Sequence, residues 1–398
     1  MTGFSAPRLR RLDEAMRAYV DRAEVPGLAA LVARGDTVHV VAAGAQDLAT
    51  GVPMARDTIF RIASMTKPIA AAAAMILVEE GKLRLDEPVD RLLPEMADRR
   101  VLRTLDSEIE DTVPASRPIT LRDLLTFSCG FGLVMAMPGT YPIQKAVNES
   151  GFAPGPSAAQ FPPDDWIARF ARLPLVAQPG AGWHYHTGSD VLGVLIARAA
   201  DQPFETFLEE RIFAPLGMAD TGFFVPDSKI GRLATSYMID RESGKMVVYD
   251  PGRDGRWSRP PVFASGGGGL VSTVDDYLAF GRMMLNFGRY GGGRVLSRPT
   301  VELMTTDQIL PAQKAASSFY PGFWDSHGWG LGVSVITARH GYLSVGSYGW
   351  DGGMGTTARN DPREGLTCIL LTQRMMRSPA PEAIYTDIRA LAYQALDD

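Results

Sequence analysis

Apolar segments of strand length lie near both ends of the chain, and a stretch of helical patterns separates them. Near the start, Leu28–Ala33 and Val38–Ala43 flank Gly35-Asp36, a pair suited to a two-residue hairpin turn. Near the end, Leu331–Ile336 and Leu366–Leu371 have the same apolar character. Because these strands do not alternate with helices, we expect a mainly antiparallel sheet rather than a parallel one.

Helices are expected at both ends of the chain, against this sheet. Apolar residues recur at helical spacing from Leu9 to Tyr19, and a further short strand is predicted at Tyr342–Gly346. In the closing helix Ser378 is the expected N-cap and Pro379 the first residue, where proline is tolerated. Its apolar face is predicted to hold Ile384, Ile388, Leu391 and Ala395.

The middle of the chain reads as an insertion. Its helical patterns are separated by connections rich in proline and glycine, and they include Leu121–Phe127, Asp164–Arg172, Ser189–Ala200 and Phe204–Phe213. The expected fold is of the α/β (α+β) class, a mainly antiparallel sheet flanked by helices plus an inserted all-helical lobe. Residues 1–85 and 250–398 are predicted to form the α/β lobe and residues 86–249 the helical lobe, with the active site in the cleft between them. Gly151–Pro163 is expected to be a loop near that site.

Composition excludes several classes of function. The formal net charge is −5 and no long run of like charges occurs, so neither nucleic acid nor an anionic membrane surface is an expected partner. No stretch has the apolar character of a secretory signal or a membrane span, which predicts a cytoplasmic protein. Cys129 and Cys368 form no metal or disulfide framework, and no cofactor or metal is implied.

The first motif with chemical meaning is Ser64-Met-Thr-Lys67, followed by Pro68. Proline fits only the first turn of a helix, so a helix is expected to begin close to Ser64. Residues three apart share one helix face, which brings the Lys67 ammonium within reach of the Ser64 hydroxyl. A serine becomes a nucleophile when a neighbouring group takes its proton. Taken alone, the spacing also fits an N-cap serine beside a surface lysine.

Two further segments supply context. Tyr185 lies in a glycine-rich loop just before a helical pattern, where its hydroxyl can face a cleft or its ring can merely anchor a turn. The segment from Gly346 to Thr356 contains Trp350-Asp351-Gly352-Gly353 and is predicted to be a glycine-rich edge strand or a turn. An edge strand there would offer N–H groups that complete an oxyanion hole with the Ser64 amide.

Taken in order, Ser64-x-x-Lys67, Tyr185-x-Thr187 and Trp350-Asp351-Gly352 resemble the motifs of the class C β-lactamase-like serine hydrolases, a group that shares its fold with the penicillin-binding proteins. The chain looks most similar to their esterase branch, the family VIII carboxylesterases. Other family-like segments are 60–68, 119–126, 215–218 and 265–273.

The resemblance implies a role for each matching residue. Ser64 would be the nucleophile, Tyr185 the general base, and Lys67 the cation that keeps the tyrosine's pKa low and moves protons. The amides of Ser64 and Gly353 would form the oxyanion hole, and the substrate would contact Thr187, Trp350, Asp351 and Gly352.

Two departures bear on the substrate. Thr187 stands where the lactamases carry asparagine, and Trp350 replaces the lysine of Lys-Thr-Gly, so nothing obvious binds the carboxylate of a β-lactam. We therefore expect hydrolysis of short-chain carboxylic esters, with a small-molecule ester as the partner. An acyltransferase, a D-amino peptidase or amidase, a weak β-lactamase and a non-catalytic ligand-binding protein stay as alternatives.

Other catalytic classes fit less well. The chain has no G-x-S-x-G, the signature of α/β-hydrolases. His184 and His186 flank Tyr185, but side chains in an extended segment point to opposite sides, and no acidic partner is expected at ligand spacing. These histidines are interpreted as site-lining or turn residues. Tryptophans expected to line an acyl pocket are Trp166, Trp183, Trp324 and Trp329.

Overall fold

A computed structural model describes residues 3–152, 159–317 and 319–397 of the chain. Within these ranges the strands, in chain order, are β1 (Gly27–Arg34), β2 (Thr37–Gly44), β3 (Phe60–Arg61), β4 (Arg100–Leu102), β5 (Thr112–Pro114), β6 (Ser236–Ile239), β7 (Met246–Asp250), β8 (Val271–Ser272), β9 (Arg289–Tyr290), β10 (Gly293–Arg294), β11 (His327–Trp329), β12 (Ser334–Ile336), β13 (Tyr348–Gly352), β14 (Thr356–Asp361) and β15 (Leu366–Thr372).

The α-helices, also in chain order, are α1 (Ala6–Asp21), α2 (Thr66–Glu79), α3 (Leu121–Leu125), α4 (Pro142–Glu149), α5 (Pro163–Phe170), α6 (Thr187–Ala200), α7 (Phe204–Leu208), α8 (Ala214–Leu216), α9 (Val274–Leu285), α10 (Arg298–Met304), α11 (Pro311–Ala315), α12 (Phe323–Ser326) and α13 (Ala383–Gln394). A π-helical turn, Glu209–Phe213, joins α7 to α8.

The main sheet has seven strands in the order β11-β12-β13-β14-β15-β1-β2, and every neighbouring pair is antiparallel. The first hairpin turns at Gly35, which has a φ of 55°. It pairs directly with the last strand, with Leu28 opposite Thr372. The expected antiparallel sheet built from both ends of the chain is therefore confirmed.

Helices cover both faces of this sheet because the side chains of a strand alternate between its faces. Leu28, Ala30 and Val32 of β1 pack with α1 and α13, whereas Ala29 and Leu31 belong to the core on the opposite side, which includes α2 and α9. The alanine-rich α2 is buried along almost its whole length. Lys67 is the second residue of this helix and Ser64 lies in the turn just before it, so the site rests on a deeply buried helix.

Two predicted strands differ from the structure. Leu331–Ile336 is a strand only from Ser334 onwards, because Gly332, with a φ of 77°, turns the chain between β11 and β12. Tyr342–Gly346 is not a strand: its Tyr342 and Val345 are exposed, Gly346 has a φ of 91°, and β13 begins only after it.

The last helix also begins later than predicted. Glu382, rather than Ser378, is the residue before the first turn, and α13 starts at Ala383. A second proline, Pro381, follows Pro379, and a proline disfavours helical backbone at the residue before it, here Ala380. The expected apolar face is confirmed, since Ile384, Ile388 and Ala395 are buried.

The intervening segment is mainly helical but not all-helical. The short ribbon β4–β5 lies within it, and the ribbon β6–β7 ends at Asp250. The lobe boundaries at residues 86 and 249 stay a prediction. Of the predicted loop Gly151–Pro163, residues 153–158 lie outside the described part of the chain. Among the described helices none is both long enough and apolar enough to cross a membrane.

Candidate active site

Ser64 lies at the point where a short strand becomes the buried helix α2. It is the middle residue of a 3₁₀ turn, Ala63–Met65, and Pro68 falls in the first turn of α2 as predicted. The preceding strand is fixed by a buried ion pair between Arg61 and Asp250, both 3% exposed. The serine hydroxyl is therefore held on a rigid element and lines a cavity.

Lys67 is buried beneath Ser64, with 1% of its surface exposed. Its Nζ lies 2.9 Å from the Ser64 Oγ and 3.2 Å from Nδ1 of His186, and it donates a hydrogen bond to the Gly267 carbonyl. Burial lowers the pKa of Lys67 to about 7, because the charged form loses its hydration, and the nearby Asp190 opposes this shift. A large share of Lys67 is therefore neutral near neutral pH and is able to accept a proton.

Tyr185 reaches the same place from the loop before α6. The indole Nε1–H of Trp350 donates a hydrogen bond of 2.6 Å to its hydroxyl, and the Lys67 Nζ lies 4.6 Å from the centre of its ring. Burial raises the pKa of Tyr185, although hydrogen bonds with Ser64 and Trp350 oppose the shift. The expectation that Lys67 lowers this pKa is not met, because the ammonium faces the ring and the aromatic surroundings disfavour a phenolate.

The strand β13 brings Trp350-Asp351-Gly352 next to the turn that carries Ser64. A Cβ on Gly352 would lie 2.2 Å from the carbonyl oxygen of Ile62, so only glycine lets the strand approach the turn that carries the nucleophile. Gly353 lines the cavity, and a Cβ there would meet nothing within 4 Å. The predicted edge position is wrong, since β13 lies between β12 and β14. β12, however, pairs only with Tyr348 and Gly349, which leaves the end of β13 without a partner on that side.

Asp351 borders the cavity, but its carboxylate is engaged by two arginines. It pairs with Arg359 at 2.9 Å and with Arg389 at 3.3 Å, and it accepts a hydrogen bond from Thr357. Thr187 is the buried first residue of α6, and neither it nor Gly352 is among the residues that line the cavity. Of the four residues expected at the substrate, the structure places Trp350 and Asp351 at the cavity.

Sequence reasoning missed the surroundings of His186. His186 Nε2 lies 3.4 Å from Oδ2 of Asp190, which is four residues further along the chain. An extended segment would separate the two side chains, but α6 begins at Thr187, and a helix brings residues four apart together. The i, i+4 spacing was the signal that would have identified Asp190. Among the described residues, no group of three or more His, Cys, Asp and Glu is arranged to hold a metal ion.

The cavity above Ser64 has a volume of about 440 Å³. Its walls are mostly apolar and aromatic, and they include Leu133, Phe223, Trp257, Phe263, Phe319 and Tyr320. The tryptophans expected to line an acyl pocket do not border it. Trp183, Trp324 and Trp329 pack in the aromatic cluster around Tyr185, and Trp166 lies in the main core. Arg256, Arg359 and Arg377 also border the cavity, and the first two are paired with Asp250 and Asp351. The mostly apolar walls suit a carbonyl substrate that carries an apolar group.

Comparisons with known proteins agree with this geometry. A model of the family described as Beta-lactamase matches residues 12–392. Protein Rv1367c of Mycobacterium tuberculosis is 41% identical over 337 residues, which cover 83% of this chain and 81% of the relative. Esterase EstB of Burkholderia gladioli is 30% identical over 404 residues, covering 93% and 92%.

A solved structure is similar over nearly the whole length. EstCE1, described as a hydrolase with promiscuous acyltransferase activity, has a TM-score of 0.80 at 24% identity and covers 97% of this chain and 98% of its own. That likeness shows the fold, with its antiparallel sheet flanked by helices. The chain belongs to the beta-lactamase family, which confirms the resemblance drawn from its motifs, and it is a serine hydrolase.

Proposed function

We propose that this enzyme is a carboxylesterase that hydrolyses short-chain esters through an acyl-enzyme on Ser64. The observation that carries the proposal is the contact of 2.9 Å between the Ser64 Oγ and the Nζ of a buried lysine. A lysine with an ordinary pKa would be charged near neutral pH and unable to take the serine proton. Lys67, with a pKa of about 7, can take it.

In the acylation step the Ser64 O–H bond breaks and its proton moves to the lone pair of Lys67. The serine oxygen forms a bond to the ester carbonyl carbon, and the π electrons of that carbonyl move onto its oxygen. The amides of Ser64 and Gly353 stabilise this oxyanion. When the intermediate collapses, the bond to the alcohol oxygen breaks, and the Tyr185 hydroxyl gives that oxygen its proton. The Lys67 ammonium then returns a proton to the tyrosine.

Deacylation repeats these steps with water in place of Ser64. Lys67 takes a proton from the water, the hydroxide attacks the acyl carbon, and Ser64 leaves with a proton from Tyr185. The roles follow the two pKa directions: burial makes Lys67 the better proton acceptor and keeps Tyr185 a phenol that donates. We therefore assign Tyr185 as the general acid in acylation. The family resemblance had implied that it is the general base.

The cavity supports a small ester as the substrate. Trp350 occupies the position where a lysine would bind a carboxylate, and the walls are mostly apolar. Of the three arginines described at the cavity, Arg256 and Arg359 are already paired with Asp250 and Asp351. The name of Esterase EstB, a relative that covers nearly the whole chain, supports the same activity. A small-molecule ester as the partner and a cytoplasmic location stay proposals, and so do the substrate contacts of Thr187, Asp351 and Gly352.

The test is hydrolysis of p-nitrophenyl acetate and butyrate, together with labelling by a fluorophosphonate. We expect turnover and one label per chain, located on Ser64 by peptide mass spectrometry. Ser64→Ala should abolish both while thermal unfolding stays unchanged. Ser378→Ala, which alters an exposed serine at the cavity, is the matched control and should behave as wild type.

Turnover by Ser64→Ala near the wild-type rate would refute the acyl-enzyme. Ester panels assayed with and without an added alcohol, alongside amides and cephalosporins, separate the esterase from the alternative activities. Faster transfer to the alcohol than to water would make the enzyme an acyltransferase instead.

A further inference from the structure

His186 has a backbone conformation that its residue type disfavours. Its φ is 92° and its ψ is −67°, a region that residues with a Cβ rarely adopt. Such strain persists where the surrounding structure requires one side-chain position. Here the imidazole lies between the Nζ of Lys67 and the carboxylate of Asp190, so each ring nitrogen faces one polar group of the site.

The hydrogen bonds of Lys67 define what His186 does. A neutral amine has two N–H bonds and one lone pair. Among the residues that the structure describes, three hydrogen-bond partners surround the Lys67 Nζ: the Ser64 Oγ, the Gly267 carbonyl and Nδ1 of His186. The carbonyl can only accept. If His186 Nδ1 also accepts, both N–H bonds are used, and the lone pair is left facing the Ser64 hydroxyl.

We infer that His186 is a positioning residue, which directs the lone pair of Lys67 toward Ser64 by accepting an N–H of the amine at Nδ1. This role rests on the proposed function, in which Lys67 takes the serine proton. His186 itself neither gains nor loses a proton in the reaction.

Asp190 fixes the tautomer that this role requires. Its Oδ1 accepts hydrogen bonds from the Ser265 hydroxyl and from the Gly267 amide, at 2.6 and 3.0 Å. Its Oδ2 lies 3.4 Å from His186 Nε2 and favours the tautomer in which Nε2–H donates to the carboxylate, so Nδ1 keeps its lone pair. Because the Gly267 carbonyl also binds Lys67, the carboxylate positions both acceptors of the amine.

The decisive variant is Asp190→Asn, which has the same shape. The amide oxygen can keep both bonds of Oδ1, while the amide N–H₂ replaces Oδ2 and donates to His186 Nε2. The proton of His186 then moves to Nδ1 and donates to the Lys67 lone pair, which turns away from Ser64. We expect kcat for p-nitrophenyl acetate to fall about 100-fold or more with KM changed less than about threefold.

Two variants at position 186 test the same idea without the aspartate. Glycine adopts this φ without steric strain, which offsets part of the cost of removing the buried ring, and thermal unfolding of each variant checks that the fold is retained. His186→Asn keeps an acceptor near the position of Nδ1 and should retain kcat within about tenfold of wild type. His186→Gly has no acceptor and should lose about 100-fold. Added imidazole should restore part of that loss, because the residue borders the cavity.

The outcomes separate this inference from the proposed function. Fluorophosphonate labels Ser64 in wild type if the acyl-enzyme is right, whatever happens at His186. Wild-type kcat in Asp190→Asn or His186→Gly, or equal losses in the asparagine and glycine variants, would overturn the positioning role while the labelling stands. Absence of the label in wild type would instead refute the proposed function.

Discussion

The pH dependence of the reaction provides a direct test of the buried lysine. An amine with the ordinary pKa of 10.5 would be neutral in about one molecule in 3,000 at about pH 7, whereas at a pKa of about 7 about half of the molecules are neutral. Burial therefore raises the population of the reactive form by about three orders of magnitude. Since the neutral form is the active one, kcat/KM should rise about tenfold per pH unit up to about pH 7 and be constant above it.

The assay is initial-rate hydrolysis of p-nitrophenyl acetate from about pH 5.5 to about pH 9, with correction for spontaneous hydrolysis. Circular dichroism at each pH confirms that the fold is unchanged. A rate that still rises about tenfold per pH unit at about pH 9 would mean that Lys67 has its ordinary pKa. A flat profile across this range would mean that Lys67 is not the group that accepts the serine proton.

Three further predictions concern Tyr185, Asp351 and the glycines of β13. Tyr185→Phe should lower kcat/KM, which reports acylation, about 10²- to 10⁴-fold for alkyl esters and much less for p-nitrophenyl esters, because p-nitrophenolate leaves without a proton. Deacylation uses Tyr185 for both substrates, so equal losses in kcat/KM, rather than in kcat, would remove the acid role in acylation. Asp351→Asn leaves two buried arginines without their carboxylate and should lower the unfolding free energy by about 3 kcal/mol. Urea denaturation measures this loss, and an unchanged urea midpoint would show that the pairs do not stabilise the fold. Gly352→Ala should lower both stability and kcat because its Cβ would clash with the Ile62 carbonyl, whereas Gly353→Ala should unfold like wild type; similar behaviour of the two variants would contradict the close packing of β13.

Local spacing determined how much of the site could be predicted from the sequence. Ser64 and Lys67 lie on one turn, and Pro68 specifies where the helix begins, so their contact follows from helix geometry alone. Tyr185 and Gly353 were placed by resemblance to known motifs. The sheet was predictable because its longer strands, such as β1 and β15, are continuous apolar runs.

The rest depended on tertiary contacts that no local pattern contains. The pKa direction of Tyr185 follows from the aromatic side chains around it, which come from distant parts of the chain. The cavity walls combine Leu133, Trp257 and Phe319, which no spacing rule connects. The strand predicted at Tyr342–Gly346 failed because its apolar residues are exposed in a turn rather than paired. His186 lines the cavity as predicted, but its partner Asp190 was missed because the predicted start of α6 is two residues too late.

The pairing of the first hairpin with the last strand has a consequence for biosynthesis. Leu28 of β1 pairs with Thr372 of β15, so this edge of β1 is covered only after the end of the chain has been synthesised. Ser64 is therefore synthesised long before the last strands of the sheet. During translation the apolar β1 has one exposed edge until the carboxyl-terminal segment leaves the ribosome, which favours chaperone binding to the nascent chain. A frameshift or premature stop that removes only the final strand and helix would therefore yield an aggregation-prone polypeptide rather than a smaller active enzyme.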